Sequence, residues 1–196
     1  MPFIATVDEA EATGRAAEEL EADRERFGYV PNMGRLLALR PEVYAAWKKL
    51  NGAVKESMDA RRYELATLAA ARRLRSTYCL LAHGKVLVDS FLEADELVRI
   101  VADHRRAGLS EVEVAVMDLA EKVAVDATSV TQEDVDRLRR LGLPDEEIFD
   151  VVAAAALRCF FSKVLDGLGV QADAVHRELD PGLVDALTVG RRIDGS

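Results

Sequence analysis

Apolar residues recur along almost the whole chain at three- and four-residue spacing, and no run of alternating apolar and polar positions is long enough for a strand. The pattern predicts an all-α protein of nine or ten helices. Residues 8–27 read as an acidic, Ala-rich helix that stops at Gly28. Pro31 and Pro41 each stand where a helix can begin. Leu36, Leu37, Leu39, Val43, Tyr44, Trp47 and Leu50 follow at helical spacing and are expected to face the core. Asp59 is placed to cap a helix over 60–74 whose apolar face includes Leu65 and Leu68. Ser76 or Thr77 opens the next, through "YCLLAHGKVLVDSF", and another spans about 93–104 before Gly108 breaks it. "SEVE" from Ser110 and "TQED" from Thr131 are capping-box patterns. "GLPDEEIFDVVAAAALRCFFSKVLDGLG" starts with proline and acids and ends with glycines, so start and stop signals agree on one long helix.

An internal echo accompanies this pattern. "ELATLAAARRLRSTYC" and "DVVAAAALRCFFS" both run an Ala-rich helix into a Leu-Arg step, a small polar residue and aromatics. It suggests two related helical halves, about 30–105 and 110–190, within a single domain over 1–196.

Composition supports a helical reading: 49% of the 196 residues are hydrophobic and only 6% aromatic, with five prolines. A net charge of −9 repels phosphate backbones and anionic membranes, so no nucleic-acid or membrane partner is expected. "MPFIATVDEAEATG" lacks the basic start and apolar block of a signal peptide, and the longest apolar run ends at Arg158. Two cysteines make no disulfide framework, so a cytoplasmic, reducing setting is expected.

In that setting a free cysteine is either buried filler or reactive, and "STYCLLAHG" at 76–84 bears on the choice. Cys79 and His83 are four residues apart, one above the other on a helix. With Ser76 as N-cap, Cys79 takes the third helical position, where unpaired amide donors and the helix dipole favour an anion. An ordinary thiol ionises near 8.5, and a helix N-terminus or neighbouring imidazolium lowers that value. By spacing alone, a buried core cysteine with a histidine bonded to backbone is the simpler reading. A metal site has less support, because no second cluster supplies further ligands beyond these two.

The longer pattern changes the balance. Glu64 followed by Ser76-x-x-Cys79-x-x-x-His83 resembles the AhpD-like alkylhydroperoxidase/carboxymuconolactone decarboxylase superfamily, within it the peroxidase-related branch that carries S-x-x-C. "FGYVPNMGRLLALRPEVYAAW" and the stretch from "VTQEDV" to "DGLGV" are similar to the family's segments before and after this motif. The resemblance implies the AhpD-like helical fold and a homo-oligomer (dimer, trimer or hexamer); the chemistry it implies requires no bound cofactor. It implies Cys79 as the peroxidatic nucleophile, His83 as its base and Glu64 as the acid orienting that base. Ser76 stands where the full motif has a resolving cysteine. A two-cysteine cycle within the motif is therefore excluded, and reduction falls to an external thiol or to Cys159. The implied activity is a thiol-dependent peroxidase. The alternatives are a decarboxylase-like proton-transfer enzyme using His83 and Glu64, and a non-catalytic helical oligomer or redox sensor.

The remaining candidates are structural. Cys159 is expected to be a buried structural thiol, His104 a residue at a helix C-terminus, and His176 a surface helix residue. Trp47 is expected in the core or a subunit interface, Tyr78 beside the nucleophile, and Arg72, Arg73 and Arg75 close enough to attract an anion.

Overall fold

A computed structural model describes residues 2–195, and among them there is no β-strand. Ten α-helices follow in order: α1 Gly14–Phe27, α2 Asn32–Leu37, α3 Pro41–Ser57, α4 Ala60–Arg73 and α5 Thr77–Ser90; then α6 Ala94–Asp103, α7 Glu111–Asp126, α8 Gln132–Arg140, α9 Asp145–Gly167 and α10 Pro181–Leu187. Local chemistry sets several of their ends. Asp59 accepts from the Arg62 N–H at the start of α4. Ser110 and Thr131 close full capping boxes with Glu113 and Asp134. Gly28 ends α1 at φ 81°, a left-handed position that glycine adopts without cost. None of these helices is long and apolar enough to cross a membrane.

Helix α4 is the hub. Nine consecutive residues, Tyr63 to Ala71, are buried, as a helix must be when it is surrounded on all sides. Its alanines give little bulk, and α5, α7 and α9 pack closely around it. Helix α9, the long helix expected from its end signals, crosses α3, α4 and α7. Its Arg158 and Ser162 are both buried and face the start of α5.

The C-terminal segment fixes the α4–α5 turn. Arg75 has φ 56°, a left-handed conformation that costs a non-glycine residue about 1–2 kcal/mol. Its guanidinium donates to the Val189 carbonyl, and the Gly190 N–H donates to Thr77 Oγ1 at 2.9 Å. A Cβ on Gly190 would run into the Arg75 carbonyl oxygen, so only glycine lets the segment approach. Gly84 plays the same part further along α5, where Leu187 of α10 would stand 2.7 Å from a Cβ.

Several expectations change. Helix α1 starts at Gly14, so residues 8–13 are not helical. Val43 and Leu50 are 48% and 55% exposed and lie outside the core, because periodicity marks an apolar face without saying what covers it. His176 is not a surface residue: it is buried in a 3-10 turn, Ala174–Glu178, and its Nδ1 has no partner. His104 does end α6, but it is buried, and its Nε2 meets Asp118 Oδ1 at 2.9 Å. Arg72 is paired with Glu121 and the Ala102 carbonyl.

Candidate active site

Helices α3, α4, α5 and α9 converge on Cys79. On α4, Glu64 is 1% exposed, and its two carboxylate oxygens have separate partners. Oε1 accepts from Lys55 Nζ of α3 at 2.9 Å, and Oε2 lies 2.6 Å from His83 Nδ1 of α5. Thr67 Oγ1, one turn along α4, lies 3.3 Å from the same nitrogen. The Tyr63 ring stands edge-on to the imidazole at 6.2 Å, and its hydroxyl donates to Asn51 Oδ1 at 2.9 Å. The imidazole is thus held by its Nδ1 edge, with Nε2 left for chemistry.

Charge follows from these contacts. Burial pushes the Glu64 carboxyl up, but the imidazole, its hydrogen bond and the Lys55 ammonium outweigh burial and hold the group down at about 2. Burial pulls His83 below its usual value, and the Arg158 charge pulls in the same direction against Glu64. The state that satisfies both groups is a carboxylate facing a neutral imidazole that carries its proton on Nδ1, a tautomer inferred from its partner.

Cys79 occupies the third position of α5 and is 1% exposed. Two donors from α9 reach its sulfur: Ser162 Oγ at 3.1 Å and Arg158 Nη1 at 3.6 Å. Arg158 and Ser162 are one turn apart and share a helix face. The Arg158 guanidinium also faces the Tyr63 hydroxyl and lies 5.3 Å from the Phe161 ring. Phe161 in turn stacks on Trp47 at 4.3 Å. Tyr78, beside the nucleophile, turns away and donates to Asp173 Oδ2 at 2.6 Å.

Glu64, Cys79 and His83 therefore gather in one place, with Glu64 bonded directly to His83. The hydrogen bonds of the Cys79 sulfur run to α9, and none joins it to His83 among the described residues. Ser76 is the N-cap residue of α5, yet its side chain makes no capping bond. Its Oγ is buried and unpartnered, facing the Asp166 carboxyl, whose Oδ2 is also unpartnered. Cys159 is half-buried; its sulfur lies 4.0 Å from the Ala124 carbonyl oxygen of α7, and burial pushes its thiol up. It follows Arg158 in sequence but points to a different helix.

Sequence reading overlooked Lys55, Arg158 and Ser162. A signal for Arg158 was present: it sits in an apolar helix with no acidic residue three or four positions away to pair with it. The internal echo carried another, since aligning "LRCFFS" on "LRSTYC" sets Ser162 against Cys79, and the two touch.

Residues 41–122, from the start of α3 to within α7, match the carboxymuconolactone decarboxylase family. The segment includes Lys55, Glu64, Cys79 and His83 but neither Arg158 nor Ser162. Over that segment the chain is similar to the carboxymuconolactone decarboxylase family. The AhpD-like fold extends over nearly all of the chain. A peroxidase-related protein from Ralstonia eutropha JMP134, described as an alkylhydroperoxidase AhpD core, superposes with a TM-score of 0.80 at 19% identity over 97% of this chain and 98% of that one. A peroxidase-related protein from Silicibacter sp. TM1040 gives 0.75 at 19% identity over 89% and 94%. The debrominase Bmp8, solved with 2,3,4-tribromopyrrole, gives 0.76 at 13% identity over 94% and 96%. At such identities the likeness establishes the AhpD-like fold and leaves activity to the residues. No curated protein matches this sequence.

Proposed function

We propose that the protein is a thiol-dependent peroxidase that reduces hydroperoxides through Cys79 and is itself reduced by an external thiol. The observation that carries this reading is a buried cysteine sulfur with donors on one side, set on the same helix as an imidazole whose Nδ1 edge is clamped by a carboxylate. His83 Nε2 takes the thiol proton, directly or through a water, while Glu64 steadies the imidazolium that forms. The sulfur then attacks the terminal oxygen of ROOH. An S–O bond forms, the O–O bond breaks, and sulfur is oxidised by two electrons to a sulfenic acid that keeps the terminal oxygen and its hydrogen. The departing alkoxide takes the proton back from His83 and leaves as ROH. Two external thiols then restore Cys79, yielding their disulfide and water. Ser76 cannot form the internal disulfide of a two-cysteine cycle, and the Cys159 sulfur is directed at α7.

The test is consumption of cumene hydroperoxide with excess dithiothreitol by wild type, Cys79→Ser and Cys159→Ser. The expected result is turnover lost in Cys79→Ser and kept in Cys159→Ser. Loss in both folded variants makes Cys159 the resolving partner. No turnover in wild type removes the peroxidase reading and leaves proton transfer by His83 and Glu64, or a non-catalytic role. Bromide release from 2,3,4-tribromopyrrole, measured in parallel, identifies dehalogenation by the same thiol if that occurs instead.

A further inference from the structure

Arg158 is a buried cation with no carboxylate to answer it. It is 3% exposed, and among the described residues no acidic side chain forms an ion pair with it. The buried carboxylate at this site, by contrast, is matched: Glu64 faces Lys55 and His83. An unmatched ion taken out of water is strongly unfavourable unless it finds a counter-charge. The groups beside Arg158 that can become anionic are Cys79 and Tyr63. Tyr63 already donates its hydroxyl hydrogen to Asn51. That leaves the Cys79 sulfur, which accepts from Arg158 and Ser162 together.

We propose that Arg158 is a catalytic residue that holds Cys79 as a thiolate in a buried ion pair, with Ser162 as the second donor. The family-matched segment supplies nucleophile, base and orienting acid, and α9, outside that segment, supplies the counter-charge. The pair also accounts for the neutral imidazole. The Arg158 charge that attracts the sulfur anion disfavours a second cation on His83, so the thiol proton that His83 takes up in forming the pair passes on to solvent, and a proton drawn back from water through Nε2 reaches the departing oxygen. Nε of Arg158 is buried and unpartnered, which leaves one donor of the guanidinium without an acceptor beside the sulfur. The charged and titratable groups around Cys79 are His83 on its own helix, Tyr63 and Glu64 on α4, Lys55 on α3, and Arg158 and Asp166 on α9. Lys55 and Glu64 oppose one another, and burial raises the Asp166 carboxyl, which faces Ser76 and Arg191, so Arg158 is the charged group bonded directly to the sulfur.

The inference extends the peroxidase reading, but its test needs no hydroperoxide. In a Cys159→Ser background, Cys79 is the only thiol, and its ultraviolet thiolate absorbance is followed against pH alongside circular dichroism. The expected result is a thiolate already present in wild type at neutral pH. Arg158→Met should move the midpoint up by about one pH unit or more. Arg158→Lys, which keeps the charge on a different stem, should lie between, and Ser162→Ala should give a smaller upward movement. An ordinary thiol midpoint in wild type overturns the pair, and that measurement stands even if Arg158→Met does not fold. A folded Arg158→Met with an unmoved midpoint overturns it equally. Thiolate without turnover sinks the peroxidase reading and leaves the pair standing; turnover with an ordinary thiol does the reverse.

Discussion

Replacing Glu64 with glutamine tests whether the carboxylate serves catalysis or only packing. The amide has nearly the same shape, and its oxygen can still accept from His83 Nδ1–H, so the imidazole keeps its place. The negative charge is lost, however, and with it a charge-assisted bond that is 2.6 Å long and buried. Hydrogen bonds to charged groups contribute about 1.5–3 kcal/mol. Because the imidazolium exists only during turnover, the loss falls on the transition state. At roughly 1.4 kcal/mol per tenfold, kcat should drop about ten- to a hundredfold. The pH profile adds a sign. Glu64 raises His83 while Lys55 lowers it, and the neutral imidazole is the active form. The acid limb of hydroperoxide consumption should therefore move to lower pH in Glu64→Gln and to higher pH in Lys55→Met, whose side chain is 41% exposed and easily spared by the fold. Steady-state rates with dithiothreitol across pH, with circular dichroism as the folding control, measure both. A folded Glu64→Gln with wild-type kcat and an unmoved acid limb would refute the orienting role and reduce the contact to packing.

Two further outcomes concern the frame around the site. Gly190→Ala pushes a methyl group into the Arg75 carbonyl, so the C-terminal segment must lift from α5; overpacking of this kind costs about 1–3 kcal/mol, and a lower melting temperature with faster proteolysis of that segment would show it, whereas unchanged melting would mean the segment does not hold the turn. Burial raises the Asp23 carboxyl above its usual 3.8, against the Tyr44 hydroxyl and Lys48. The unfolded chain therefore loses this proton first, and stability falls as pH rises from 3.8 through the raised folded value. Asp23→Asn should melt higher than wild type above that window, with the gap closing below 3.8; a gap independent of pH would place the effect in packing instead of charge.

Much of the helical layout is legible in sequence because its causes are local. Asp59, Ser110 and Thr131 reach donors within three residues, and Gly28 ends α1 through its own backbone freedom. Cys79 and His83 share a helix, so one residue spacing carries them to the same place. Val43, Leu50 and His176 were misplaced because a periodic pattern defines a face and leaves open whether another element covers it.

The amino-acid pattern alone specifies an all-α chain, many of its helix ends, and a thiol and imidazole one turn apart. Tertiary structure alone decided what surrounds that thiol. Arg158 and Ser162 are 79 and 83 residues from Cys79 along the chain, and they meet it because the alanines of α4 let α5 and α9 pack against the same helix. No local rule sets such a contact. It depends on the closing of a long loop and the filling of one core, and both belong to the folded chain as a whole.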